Sequence, residues 1–195
     1  MSDPVEVLDF WLGEIGPEGW FAGSEEIDDA CAVRFGALLD ALEGGGLEHW
    51  VDGVVGTLAY LIVADQFSRN IHRGSARAFA TDIHARAAAR HALAAGWDMQ
   101  APVPERQFFY MPFEHSEDLA DQDLAVRLME ERMDGDAELI LHARAHRDII
   151  RRFGRFPFRN LALGRDTTPA EQEFLNLGGY AAVVNGLRSS HAPDA

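Results

Sequence analysis

Residues that can move protons or bind anions are concentrated in three segments of the chain, 65–73, 114–118 and 146–165. Each segment lies near an expected helix end, where unpaired backbone groups and the helix dipole favour ionic sites. We therefore predict that the three segments meet around one pocket. The side chains predicted to contact a ligand there are Asp65, Gln66, Arg69, Asn70, Arg73, Glu114, His115, Gln122, His146, Arg155, Arg159 and Asn160.

Four arginines of this set suit an anionic ligand, because a guanidinium binds a carboxylate or a phosphate through two parallel N–H donors. These four are Arg69, Arg73, Arg155 and Arg159. The expected partner is an anionic small molecule or an acidic peptide, and the carboxylates of Asp65 and Glu114 are expected to orient the arginines. For Asp65 and Arg69 a structural role is the stronger interpretation, since such pairs at helix ends often tie loops to the scaffold.

Two histidines, His115 and His146, are the candidates for proton transfer, because the ordinary pKa of histidine lies near neutrality. Glu114 directly precedes the first of them. His146 interrupts the apolar face of a predicted helix, and a core histidine that donates to a backbone carbonyl is the commoner reason for such a position. For Gln122, which also lies on an apolar face, the alternative is a core amide that bridges helices.

Metal and cofactor sites are not predicted. Glu138, His142 and His146 follow a four-residue spacing, but they lack the HExxH frame that makes this spacing specific for zinc. Cys31 is the only cysteine, so the chain can form neither an internal disulfide nor a thiolate cluster. The chain contains no lysine. This absence excludes Schiff-base enzymes, pyridoxal-phosphate enzymes and phosphate-binding loops of the Walker type.

The overall charge disfavours polyanionic partners. The chain has 17 basic residues against 32 acidic ones, a formal net charge of −15. Nucleic acids and anionic membranes attract basic surfaces, so neither is an expected partner. No apolar run approaches the roughly 20 residues that a membrane helix needs. The N-terminus, MSDPVEVLDF, is acidic and lacks the layout of a signal peptide, so we expect a cytoplasmic protein.

Helical periodicity and capping residues dominate the sequence, and no segment shows the two-residue alternation of a strand. We therefore predict an all-α fold of about eight helices, with a single domain over residues 1–185 and a flexible tail over 186–195. Asp65 follows an almost wholly apolar helix, which predicts that its carboxylate is partly buried and paired. The predicted helices begin at or near Asp3, Ser24, Val54, Thr81, Glu105, Ser116, Asp136 and Thr168.

Four motifs together resemble a bacterial family defined only as domain of unknown function 924. They are VLDFWLGE (7–14), DQFSRNIHRGSARAFATD (65–82), RQFFYMPFEHSEDLADQ (106–122) and HRDIIRRFGRFPFRNLALGRDTTPAEQEFL (146–175). The resemblance runs in order over about residues 5–177. It implies a tetratricopeptide-like helical array and supplies no activity.

Two positions depart from the usual family pattern. Ser68 stands where the family usually has proline, and Phe158 stands where it usually has histidine. If the family histidine takes part in chemistry, this chain lacks it, and His115 or His146 must carry any proton transfer.

Three functions remain open from the sequence. The first is a helical binding module with an arginine-lined pocket. The second is a small cofactor-independent enzyme, a hydrolase or a lyase, that uses His115 or His146 with Glu114. The third is a structural or interaction protein in which the arginine network only braces the fold.

Overall fold

The computed structural model describes residues 3–190, which form helices joined by short loops and contain no strand. The predicted all-α class is confirmed, whereas the tetratricopeptide-like arrangement stays a prediction. The chain divides into two compact units, with the boundary between Pro112 and Phe113. Within residues 3–190, no helix combines the length and the apolar character needed to cross a membrane.

Aromatic side chains form the core of the first unit. Phe35, on the buried face of the helix Glu25–Glu43, stacks on Phe67 with 4.8 Å between ring centroids. Phe10 and Trp11 lie 5.1 Å from Phe35 and 5.4 Å from Phe67, respectively. The other helical segments of this unit are Pro4–Leu8, Asp9–Ile15, Gly16–Gly19, Glu48–Trp50, Val54–Leu61, Ile62–Phe67, Ser68–Ile71, Ala76–Phe79, Asp82–Ala95, Asp98–Gln100 and Glu105–Phe109.

A buried π-helical turn, Ile62–Phe67, interrupts the central helix of the first unit. Such a turn widens the backbone ladder and is often found at functional sites. The carbonyl of Ala64 accepts hydrogen bonds from the hydroxyls of Ser68 at 2.8 Å and Thr81 at 2.6 Å. The helix Asp82–Ala95 begins after Thr81 as predicted, but the Thr81 hydroxyl bonds to this carbonyl instead of capping the helix.

The second unit contains the helices Leu119–Arg132, Ala137–Phe153, Pro169–Asn176 and Gly179–Ser190, and the short helix Met111–Glu114 precedes the first of them. The helix Pro169–Asn176 begins after Thr168 as predicted, and Thr168 and Glu171 form both hydrogen bonds of a capping box. The predicted cap at Ser116 is wrong, because Asp118 accepts from the backbone of Ala120 and Asp121. Ser116 Oγ instead accepts from the backbone N–H of Asp118.

Two further boundaries differ from the sequence prediction. The helix predicted to begin near Glu105 is a short 3-10 helix, Glu105–Phe109, and Pro112 lies in the first turn of the next helix, Met111–Glu114, where a missing N–H is tolerated. The helix Gly179–Ser190 was not predicted at all, because the pair Gly178 and Gly179 indicates a helix end. Its residues 186–190 belong to the segment predicted to be a flexible tail, and residues 191–195 of that segment lie outside the described residues.

Candidate functional site

The candidate site lies in the second unit and begins at the turn that carries Glu114. Gln122 is fully buried, and its side-chain amide donates to the carbonyls of Phe113, Glu114 and Ser116 at 3.4, 2.5 and 2.6 Å. An amide group that faces several carbonyl oxygens must present its NH₂ end to them. Gln122 therefore fixes the backbone of this turn, and it acts here as the core amide that the sequence left as an alternative.

A hydrogen bond between a carboxylate and an imidazole is the central feature of the site. Oε1 of Glu114 lies 2.8 Å from Nδ1 of His146, and only 5% of Glu114 is exposed. The same nitrogen lies 3.0 Å from the backbone carbonyl of His142. Both neighbours are acceptors, so in the neutral imidazole Nδ1 carries the hydrogen. Nε2 of His146 then holds the lone pair and can accept a proton.

Three rings surround the imidazole of His146. The ring of Tyr180 lies 4.7 Å away, that of Phe156 lies 5.5 Å away edge-on, and that of His115 lies 5.8 Å away. His115 and His146, the two predicted proton-transfer residues, are thus close together, with Glu114 bonded to the second. Packing of this kind restricts the orientation of the His146 ring.

A second hydrogen-bonded pair adjoins the first. The hydroxyl of Tyr180, on the helix Gly179–Ser190, lies 2.5 Å from Nδ1 of His142. His142 and His146 are one helical turn apart on Ala137–Phe153, which places both on one face. Tyr180 was missed from the sequence because its helix was missed. The signal that could have found it is the helical spacing of Tyr180, Val183, Val184 and Leu187, which pack near Leu141 and Ala145.

The electrostatics of the cluster depend on burial and on Glu114. Burial by itself raises the pKa of Glu114, but His146, with smaller effects from His115 and His142, holds that pKa below its usual value. Burial, and next the charge of Glu114, raises the pKa of Tyr180. Burial also lowers the pKa of His142, so its imidazole is neutral at neutral pH. Glu114 is therefore a carboxylate and Tyr180 a phenol at that pH.

Within residues 3–190, no group of three or more His, Cys, Asp or Glu side chains is arranged to hold a metal ion. The sequence raised Glu138, His142 and His146 as possible metal ligands. Nε2 of His142 lies 4.0 Å from Oε2 of Glu138. Cys31 is buried, and its burial raises the pKa of its thiol to about 12.

The arginines of segment 146–165 are mostly bonded to acidic side chains of their own unit. Arg155 donates to both carboxylate oxygens of Glu171, at 2.6 and 2.8 Å. Its hydrogen bonds, together with the Thr168 backbone, lower the pKa of Glu171. The guanidinium of Arg159 is buried and lies 4.6 Å from the ring centroid of Phe156. The fully buried Asn160 donates to Thr167 at 3.3 Å.

One further ion pair in this unit was not predicted. Arg165 donates to both oxygens of Glu117, at 2.9 and 2.8 Å, and the backbone N–H of Phe156 donates to the same carboxylate at 2.9 Å. Burial acts to raise the pKa of Glu117, but these hydrogen bonds lower it overall. The pair joins the loop after Phe153 to the turn that precedes the helix Leu119–Arg132.

The predicted residues of segment 65–73 lie in the first unit and have partners there. Asp65 is buried, as expected, and its carboxylate lies 3.3 Å from Arg69 and 2.6 Å from the amide of Gln66. Arg69 also donates to the backbone carbonyl of Asp65 at 2.6 Å and to the carboxylate of Asp82 at 3.0 Å. Gln66 makes a weaker contact with the sulfur of Met111. This arrangement supports the structural interpretation of Asp65 and Arg69.

Asn70 and Arg73 share a partner that the sequence did not indicate. Asp28 accepts two hydrogen bonds from Arg73, at 2.5 and 2.7 Å, and one from Asn70 at 2.7 Å. The Arg73 hydrogen bond is the main cause of the lowered pKa of Asp28. Asp28 lies 42 and 45 residues from these partners along the chain, so no local spacing reveals it. The meeting of segments 65–73, 114–118 and 146–165 around one pocket stays a prediction.

Comparison with known proteins identifies the family. A family model described as bacterial protein of unknown function (DUF924) matches residues 7–179. The chain belongs to the DUF924 family. Its structure is similar to that of a protein of unknown function from Agrobacterium tumefaciens, with 39% sequence identity and a TM-score of 0.83 over 88% of this chain and 96% of that chain. No curated protein matches the chain.

The two positions expected to depart from the usual family pattern have different surroundings. Ser68 is buried at the end of the π-helical turn, where its hydroxyl bonds to Ala64. Phe158 is 45% exposed, and its ring stacks on Phe156 with 5.2 Å between centroids. Phe158 therefore contacts Phe156, which in turn contacts His146. A phenylalanine ring cannot transfer a proton.

Proposed function

We propose that this DUF924 protein is a cofactor-independent enzyme, a hydrolase or a lyase, in which His146 is the general base. The observation that carries the proposal is the 2.8 Å hydrogen bond from Nδ1 of His146 to the buried carboxylate of Glu114. A carboxylate in this position holds the imidazole in one tautomer and stabilises the imidazolium that forms when Nε2 takes a proton. The substrate proton is removed by Nε2, from water in a hydrolase or from carbon in a lyase.

The energetics of Glu114 support a functional role. Burying a carboxylate costs several kcal/mol unless a partner compensates, and a neutral histidine compensates only in part. The compensation grows when His146 becomes charged, because the imidazolium and the carboxylate then attract each other at hydrogen-bond distance. Buried carboxylates whose pKa is shifted by a specific partner, as that of Glu114 is by His146, concentrate at active sites.

Proton-transfer kinetics test the proposal. p-Nitrophenyl acetate is the probe for hydrolysis, and malate, which loses water by elimination, is the probe for a lyase. His146→Gln and Glu114→Gln are each expected to lower turnover by about 100-fold or more. His91→Gln is the matched control, because His91 is exposed on the helix Asp82–Ala95 of the first unit. Equal turnover in wild type and His146→Gln, or no turnover of either probe by wild type, contradicts the proposal.

The second candidate function is the binding of an anionic small molecule or an acidic peptide. Arg159 favours it, because a buried guanidinium lies over Phe156, the ring that contacts His146. Titration calorimetry with phosphate and with citrate tests this candidate. Binding by wild type that is lost in Arg159→Lys supports it, since lysine keeps the charge but loses the two parallel donors. The remaining alternative, a bracing role, is supported for Arg155 by its bonds to Glu171.

A further inference from the structure

Two hydrogen-bonded pairs of unlike chemistry lie side by side in the second unit. One is the carboxylate–imidazole pair of Glu114 and His146, and the other is the imidazole–phenol pair of His142 and Tyr180. The rings of His146 and Tyr180 are 4.7 Å apart, and both residues are partly exposed. The proposed base accounts for the first pair only. The second pair therefore needs its own explanation.

The hydrogen bond between His142 and Tyr180 can hold the phenol in place while leaving its hydrogen for a substrate. With its hydrogen on Nδ1, the neutral imidazole of His142 donates to the hydroxyl oxygen of Tyr180 at 2.5 Å, so the one O–H hydrogen of Tyr180 stays available to a substrate. Burial and the charge of Glu114 keep the phenol protonated, and burial keeps the imidazole of His142 neutral. Tyr180 is thus a positioned proton donor beside the proton acceptor His146.

We propose that Tyr180 is the general acid of the site, that His142 positions its hydroxyl, and that the substrates are esters of simple alcohols. The inference rests on the proposed function of His146. An alkoxide is a poor leaving group and departs readily only when its oxygen is protonated as the bond breaks. A base can meet this requirement only by giving back the proton that it has just taken, whereas a base with an adjacent phenol has a separate proton donor.

The proton count of such a hydrolysis closes within the cluster. Nε2 of His146 takes one proton from water while the water oxygen bonds to the ester carbonyl carbon. The single bond between the carbonyl carbon and the alcohol oxygen then breaks, and its electron pair stays on the alcohol oxygen. Tyr180 gives its proton to that oxygen. The imidazolium of His146 then returns its proton to the phenolate of Tyr180. The products are the carboxylic acid and the alcohol, and both side chains regain their starting states.

Dependence on the leaving group tests this inference. Ethyl acetate releases an alcohol that needs a proton, while p-nitrophenyl acetate releases a stable anion. Tyr180→Phe is expected to lower turnover of ethyl acetate by about 100-fold and that of p-nitrophenyl acetate by a much smaller factor. Tyr110→Phe is the matched control, because it removes another buried phenol, bonded to Asp98 at 2.8 Å in the first unit. That variant is expected to leave the ratio of the two rates as in wild type.

Two substitutions of His142 test its role in positioning the Tyr180 hydroxyl. Asparagine places a hydrogen-bonding atom close to the position of the imidazole Nδ1. We therefore expect His142→Asn to turn over ethyl acetate faster than His142→Ala does. Circular dichroism of each variant establishes that it is folded before its rates are compared. Equal turnover in the two His142 variants contradicts the positioning role.

The outcomes separate this inference from the proposed function. If His146→Gln leaves turnover of both esters intact, the proposed function fails, and this inference fails with it. If His146→Gln removes turnover of both but Tyr180→Phe changes both equally or neither, only the role of Tyr180 fails. A wild-type protein that turns over malate or p-nitrophenyl acetate but not ethyl acetate contradicts the proposed substrate class and leaves the base in place.

Discussion

Replacing Glu117 by glutamine tests the structural role of the arginine-rich loop. The carboxylate accepts two hydrogen bonds from Arg165 and one from the backbone N–H of Phe156. Glutamine has nearly the same shape, and its one carbonyl oxygen can still accept from Phe156. The substitution therefore removes the charge and the paired bonds to Arg165, with little change in packing.

The expected loss of stability follows from the geometry of this pair. Two charge-assisted hydrogen bonds contribute at most about 3–6 kcal/mol to the free energy of unfolding. Solvent screening reduces this, because the side chains of Glu117 and Arg165 are 23% and 31% exposed. We expect Glu117→Gln to lower the free energy of unfolding by about 1.5–3 kcal/mol. With a urea dependence of roughly 1–3 kcal/mol per molar, the midpoint falls by about 1 M.

Urea unfolding followed by circular dichroism measures this change, and the chain offers a matched control. Glu130 accepts from Arg144 at 2.7 and 3.2 Å, but their side chains are 41% and 33% exposed. Such a surface pair contributes about 0–1 kcal/mol, so Glu130→Gln is expected to shift the midpoint much less. Equal shifts in the two variants, or no shift in Glu117→Gln, refute the assigned structural role of the pair.

Three further predictions concern other contacts. The folded-state pKa of Asp28 is lowered, so its pair with Arg73 stabilises the fold above the ordinary pKa and loses this effect as pH falls through the folded value. The stability difference between wild type and Asp28→Asn is therefore expected to shrink below about pH 4 in urea titrations, and a constant difference argues against the pairing. Gln122→Met leaves buried carbonyls without a donor and is expected to destabilise the protein by about 2 kcal/mol or more, whereas an unchanged urea midpoint contradicts the contacts. Cys31 is buried with a raised pKa, so iodoacetamide is expected to label it only in denaturant, and fast labelling of the folded protein contradicts this environment.

Local sequence patterns predicted much of the fold. The capping box at Thr168 and Glu171 and the apolar spacing of residues 25–43 were readable because the interacting residues are neighbours in one helix. The same holds for Asp65 and Arg69, which are one helical turn apart. The helix Gly179–Ser190 was missed because its glycine start imitates a helix end, although its buried face follows helical spacing.

Partners distant in the chain could not be predicted in the same way. Glu117 bonds to Arg165 across 48 residues, and His142 bonds to Tyr180 across 38. Helical periodicity defines which face of a helix is buried, but not which charged residue of another helix lies opposite. Glu114 illustrates the consequence. Its type and its neighbour marked it as a candidate from the sequence, but the sequence could not show that it bonds to His146.

The most direct measurement of the proposed general base is the tautomer of His146, read from the ¹⁵N NMR shifts of its imidazole nitrogens. At about pH 8, above the ordinary histidine pKa, Nδ1 is expected to carry the hydrogen and Nε2 the lone pair. In Glu114→Gln this preference is expected to weaken, while His91→Gln leaves it unchanged. A hydrogen on Nε2 of His146 in the wild-type protein contradicts its role as the base.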